Sequence, residues 1–190
     1  MRSRKKNSDG ETPEEKPFSA KREILSWLEI ILIAAAIAWF LNSFIIANSK
    51  VPSASMENTI MTGDRVIGSR LTYRFTDPKR GDIIIFKWPD NENILFVKRI
   101  IGLPGDTVDI KDGKIYLNGS SEPLDEPYIK EPMIPEKEMV FHVPEGAYLC
   151  LGDNRNDSAD ARRWTNTYVY RNKIIARVDF RYFPGFKKLN

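Results

Sequence analysis

The segment Val51-Pro52-Ser53-Ala54-Ser55-Met56 gathers small and hydroxyl-bearing side chains behind a proline that stiffens the approach. A serine hydroxyl is a poor nucleophile until a neighbouring base removes its proton. The chain holds 1 cysteine and 1 histidine. That nearly excludes a Ser-His-Asp relay, since His142 would also need a suitably placed carboxylate. It also excludes an internal disulfide and a cysteine-based zinc cluster. The remaining base is a lysine whose pKa burial has lowered. Lys98 stands out, in the run Asn93-Ile94-Leu95-Phe96-Val97-Lys98-Arg99-Ile100-Ile101. In an extended strand it shares a face with Ile94, Phe96 and Ile100, while Leu95, Val97 and Ile101 line the other. Desolvation there would favour the neutral amine. The strand taken alone is equally compatible with an edge lysine whose head reaches water.

A third segment packs Asp153, Arg155, Asp157, Ser158, Asp160, Arg162 and Arg163 just after an apolar run. Three aspartates could supply oxygens to a cation, but the spacing is not that of an EF-hand and the interleaved arginines would repel one. Asp–Arg pairs bracing a loop are expected instead, and no metal or organic cofactor is. Cys150, with His142 and Arg155, could form a sortase-like transpeptidase site, but a thiol inside Tyr148-Leu149-Cys150-Leu151 reads as buried and inert.

These groups must be positioned by the rest of the chain. Its 190 residues carry 29 basic and 26 acidic side chains and are 42% hydrophobic, which excludes fibrous and wholly disordered classes. Basic residues are interspersed with acidic ones, so no stripe suits a nucleic acid. Residues 1–23 are charged and lack a hydrophobic period, predicting a disordered tail. Residues 24–47 form one apolar run of membrane-spanning length, with Trp27 at an interfacial position and Glu29 near the end. The run is too long and starts too late for a cleavable leader. Basic residues before it, with Lys50 the first after it, predict a cytoplasmic N-terminus and residues 48–190 outside.

That remainder has single-domain length and reads as all-β. Strands are expected over Arg65–Ser69, Ile83–Lys87, Ile94–Ile101, Met139–Val143, Ala147–Leu151 and Ile174–Phe180, with a hairpin turning at Asp112-Gly113. No amphipathic helix is evident after the anchor. Residues 120–138, with Pro123, Pro127, Pro132 and Pro135, read as an irregular surface excursion. The aromatic end, Phe180, Tyr182, Phe183 and Phe186, reads as core packing with some membrane-surface contact.

The ordered motifs Pro52-Ser53-Ala54-Ser55-Met56, Gly63-Asp64-Arg65-Val66, Lys98 to Asp106, and Gly152-Asp153-Asn154-Arg155 continuing to Ser158, Asp160 and Arg162 resemble the bacterial type I signal peptidases. These are membrane-anchored Ser-Lys serine proteases with a β fold akin to that of LexA. The resemblance implies Ser55 as nucleophile, Lys98 as general base, and an oxyanion hole from the Ser53 hydroxyl and the Ser55 N–H. It further implies that Ser158 orients the Lys98 amine and that an Asp160–Arg162 pair supports the site. Val51, Pro52, Met56, Ile60 and Val97 would line shallow pockets for small side chains. Three positions depart from the family pattern: Asn58, Ala161 and Thr165. The implied activity is removal of signal peptides from secreted preproteins at the cell membrane. The implied partners are preprotein leaders, the lipid bilayer and a secretion translocon. A catalytically silent leader-binding or scaffold protein is the alternative, against which the intact Ser55 and Lys98 argue. A LexA-like self-cleaving regulator would need a DNA-binding module where this chain has an apolar helix.

Overall fold

A computed structural model describes residues 20–189. Most of the expected disordered tail, residues 1–19, lies outside the described residues. Helix α1 (Ala20–Phe40) starts within the charged stretch, four residues before the apolar run. All its residues are exposed, and with the turn Leu41–Ile45 it is long and apolar enough to cross a membrane. The apolar run outlasts the helix. Ile46 and Ala47, expected in the anchor, begin strand β1 (Ile46–Lys50), where Ala47 is buried in the domain core.

The rest is antiparallel β structure. The strands are β2 (Arg65–Ser69), β3 (Ile83–Trp88), β4 (Asn91–Gly102), β5 (Thr107–Lys111), β6 (Lys114–Leu117), β7 (Met139–His142), β8 (Ala147–Leu151), β9 (Val169–Tyr170), β10 (Ile174–Phe183) and β11 (Lys187–Lys188). One short helix, α2 (Thr72–Phe75), follows β2. The large sheet has the order β1-β2-β10-β3-β4-β8-β9, with β11 added to β10, and the small sheet the order β6-β5-β7. The Asp112-Gly113 turn forms with both residues at positive φ, 50° and 69°, as a two-residue hairpin requires.

Ile83-Ile84-Ile85-Phe86 has no polar alternation because both faces of β3 are covered. Ile84 and Phe86 pack with Ile100, Leu149, Val108 and Ile115; Ile83 and Ile85 pack with Val66, Met56, Ile60 and Val178. The first cluster joins the two sheets, and the second seats the segment that carries Ser55.

Residues 120–138 contain no strand, as expected, but they are not merely superficial. Met133 is buried, and Glu126 forms a two-pronged pair with Arg155 at 2.6 and 2.8 Å with both side chains nearly excluded from water. At the C-terminal end, Phe186 stacks on Phe180 at 5.1 Å between centroids, and both Phe183 and Phe186 are exposed rather than packed in the core.

Candidate active site

Ser55 sits in a single 3₁₀ turn, Ala54–Met56, between β1 and β2. Reciprocal backbone bonds close the base of this excursion: Val51 N–H to Asp64 O at 2.9 Å and Gly63 N–H to Val51 O at 2.8 Å. Met56 and Ile60 anchor it from below, each fully buried. From above, Asn154 donates its backbone N–H to Ser55 O and its side-chain amide to Ala54 O, both at 3.1 Å. The Ser55 turn and the loop after β8 are therefore one unit.

Gly152 makes that unit possible. A β-carbon there would overlap the Ser55 carbonyl oxygen and the Ser158 hydroxyl. Gly152→Ala is expected to push Ser55 off its position and lower kcat/KM by about 10²-fold. Steady-state kinetics on the purified variant, with its thermal unfolding measured alongside, checks this.

Lys98 lies where β4 changes partners. β4 pairs with β3 along most of its length, but with β8 only from Arg99 to Gly102. Residues 91–98 thus form a sheet edge, and the Ser55 turn approaches just there. Lys98 is 3% exposed and Ser55 7%, and Lys98 Nζ is hydrogen-bonded to Ser55 Oγ. The lysine head does not reach water. Its surroundings differ in part from those expected, because Ile94 is 42% exposed while Ile100 is fully buried. Phe96, with its ring centroid 5.5 Å from Nζ, and the neighbouring loop supply the cover. Burial pulls the Lys98 pKa from 10.5 down to about 8, against the opposing pull of Asp160 and Asp153.

Both carboxylates are held by arginines. Arg162 grips Asp160 through Nε at 2.8 Å and Nη2 at 2.9 Å, and Gly152 N–H adds a bond at 3.0 Å. Burial alone would raise the Asp160 pKa, but these bonds, the Arg162 charge and Ser158 keep it below the ordinary value. Arg99 binds Asp153 at 2.8 and 2.6 Å, and Thr59 also donates to Asp153. Asp153 and Asp160 thus brace the loop through arginines rather than converging as cation ligands. Arg155 pairs with distant Glu126, a partner that residue spacing does not reveal.

The other expected site residues divide. Ser53 Oγ lies 3.3 Å from Ser55 Oγ. Ser158 Oγ is buried without a well-formed hydrogen bond, so it does not bind Lys98 here and acts instead beside Asp160. A cleft of about 370 Å³ opens over Ser55 and Lys98, with Val51, Pro52 and Val97 on its walls as expected. Met56 and Ile60 do not reach it; the 3₁₀ turn directs Met56, and the turn that follows it directs Ile60, into the core. Ile94, Leu95, Asp157 and Ala159 are among the other lining residues, and the first two stay exposed because that edge has no neighbouring strand. Cys150 is fully buried with its pKa raised by desolvation. His142 is exposed on the small sheet, 3.1 Å from Thr107 Oγ1. No transpeptidase-like Cys-His site forms.

Comparison with known proteins places these features in a family. The family described as signal peptidase, peptidase S26, matches residues 24–183. A probable signal peptidase I-2 from Synechocystis is 40% identical over 167 residues, covering 84% of this chain and 74% of that protein. A signal peptidase I from Leptolyngbya laminosa is 35% identical, covering 93% and 92%. A solved signal peptidase I from Enterococcus faecalis is 32% identical, covers 54% of this chain and 97% of its own, and superposes with a TM-score of 0.46. On the family match and the aligned relatives, this chain belongs to the signal peptidase family, peptidase S26.

Proposed function

We propose that this chain is a membrane-anchored serine endopeptidase that removes signal peptides from exported preproteins, with Ser55 as nucleophile and Lys98 as general base. The buried Lys98–Ser55 contact at the floor of an open, largely apolar cleft carries the reading. With a pKa near 8, a useful fraction of Lys98 is neutral at physiological pH. Its lone pair takes the Ser55 proton as Oγ attacks the scissile carbonyl. The Ser53 hydroxyl and the Ser55 N–H are the donors for the developing oxyanion, a contribution of about 10²–10³ in rate per donor. Lys98 then delivers the proton to the leaving amine, and water, activated by the same amine, releases the leader from Ser55.

The cleft favours extended substrate with small side chains. Ser49–Pro52 and the unpaired edge at Ile94–Val97 face it from two sides, offering backbone groups to an extended peptide. The walls leave shallow apolar space beside the nucleophile, which suits the small residues that precede secretory cleavage sites. Anchor and leader share the bilayer plane, which concentrates them together, and a secretion translocon is the natural neighbour of such substrates.

Incubating the detergent-solubilised chain with a preprotein and sequencing the new N-terminus tests the activity. Cleavage after a small residue is expected, and absence of turnover would leave a leader-binding or scaffold role. For topology, protease added outside intact protoplasts is expected to digest the β domain and spare the N-terminal tail. The reverse pattern contradicts an N-inside anchor.

A further inference from the structure

Away from the dyad, a second cavity of about 300 Å³ is built around three arginines, Arg70, Arg74 and Arg171. Its lining includes no carboxylate, and no acidic side chain forms an ion pair with any of the three among the described residues. Two of the guanidinium groups are held in place. Arg70 Nε donates to Ile46 O at 3.1 Å, and Arg171 Nη2 donates to Tyr73 O and, at 3.3 Å, to Thr76 O. Arg74 makes no side-chain hydrogen bond and is exposed. Three fixed or poised cations without a counter-charge form an anion site, and planar guanidinium forks suit phosphate oxygens.

The rest of the lining says which anion. Ser43 adds a hydroxyl, while Phe44 and Ile175 add apolar wall. Ser43 and Phe44 belong to the turn Leu41–Ile45 that closes the apolar segment. Phe44 packs with Trp39 and Phe40, at 6.0 and 5.2 Å between centroids, and all three rings are exposed. A tryptophan such as Trp39 at the end of a membrane-spanning helix marks the headgroup level. Cations, a hydroxyl and apolar wall thus converge where the chain leaves the bilayer.

We propose that this cavity binds the phosphate of an anionic phospholipid headgroup, with Arg70, Arg74 and Arg171 on the phosphate and Phe44 and Ile175 against the glycerol and upper acyl region. The proposal rests on the membrane-anchor part of the function proposed above. Such a contact would hold the surface around β1 at the bilayer, while the dyad cleft shares no residue with the cavity.

The test uses the full chain in neutral detergent, titrated with phosphatidylglycerol or phosphatidylcholine in mixed micelles, with bound lipid counted by native mass spectrometry. Wild type is expected to prefer phosphatidylglycerol by about tenfold. Arg74→Glu, which removes no hydrogen bond, is expected to lose at least fivefold in that preference and keep its turnover of a soluble peptide substrate. Equal lipid preference in wild type and Arg74→Glu overturns the proposal. So does competition by millimolar inorganic phosphate as strong as that by the lipid, which would make this a free-anion site. Failure of the anchor reading is separately visible as recovery of the wild-type chain in the soluble fraction of lysed cells. Loss of the headgroup site alone leaves Arg74→Glu in the membrane fraction.

Discussion

Ser55→Ala is expected to lower preprotein cleavage by roughly 10⁴-fold or more while leaving the fold intact. The reason is local. Ser55 Oγ meets Lys98 and Ser53, but the bonds that hold the turn run through the Ser55 and Ala54 carbonyls to Asn154. Losing one hydroxyl removes the attacking atom and none of those supports. Lys98 keeps the nearby carboxylates of Asp160 and Asp153, so stability should change by less than about 1.5 kcal/mol. Measuring cleavage rate and thermal unfolding on one preparation separates chemistry from folding. Retained cleavage would move the nucleophile elsewhere, and loss of both would make Ser55 structural.

The second large effect is an opposition between activity and stability at Lys98. Its folded-state pKa, about 8, lies below the ordinary 10.5. Between those two values the unfolded chain binds more protons than the folded one, so stability rises with pH across that window. Below pH 8 both states are protonated and the buried charge costs the fold about 3 kcal/mol. Lys98→Met, similar in length and without charge, should therefore be inactive yet more stable than wild type at pH 7, by up to that amount. The difference should shrink as pH approaches 10. Thermal unfolding of both proteins at pH 7, 8.5 and 10 measures it. Lys98→Arg, which cannot lose its proton, should be inactive and should also lose the alkaline gain.

How far the sequence carried this account depends on the kind of information each residue holds. Arg65–Ser69 and Ala147–Leu151 are legible as strands because β-branched and apolar residues are bounded by turns, and the structure forms both with those limits. β1 was not legible: Ile46 and Ala47 continue the apolar composition of the helix before them, and composition does not tell lipid from protein core. β9 and β11, with two residues each, carry no pattern at all. At the site, Ser55 and Lys98 stood out by chemistry and by family motif. Met56 and Ile60 are expected on the cleft because they lie close to Ser55 in sequence, but the 3₁₀ turn and the turn after it send them into the core. Ile94 and Leu95 read as buried strand residues, yet β8 ends before reaching them, and where a neighbouring strand ends is a tertiary fact. The Glu126–Arg155 pair joins residues 29 apart through a proline-rich segment, with no local signal to announce it.

The pH dependence of kcat/KM on a preprotein substrate tests the Ser55–Lys98 assignment most directly. A buried lysine base predicts a single ascending limb with a midpoint near pH 8, unchanged in His142→Ala, since His142 sits exposed on the small sheet beside Thr107. A limb near pH 6.5 that disappears in His142→Ala, together with an active Lys98→Arg, would contradict it and make the histidine the base.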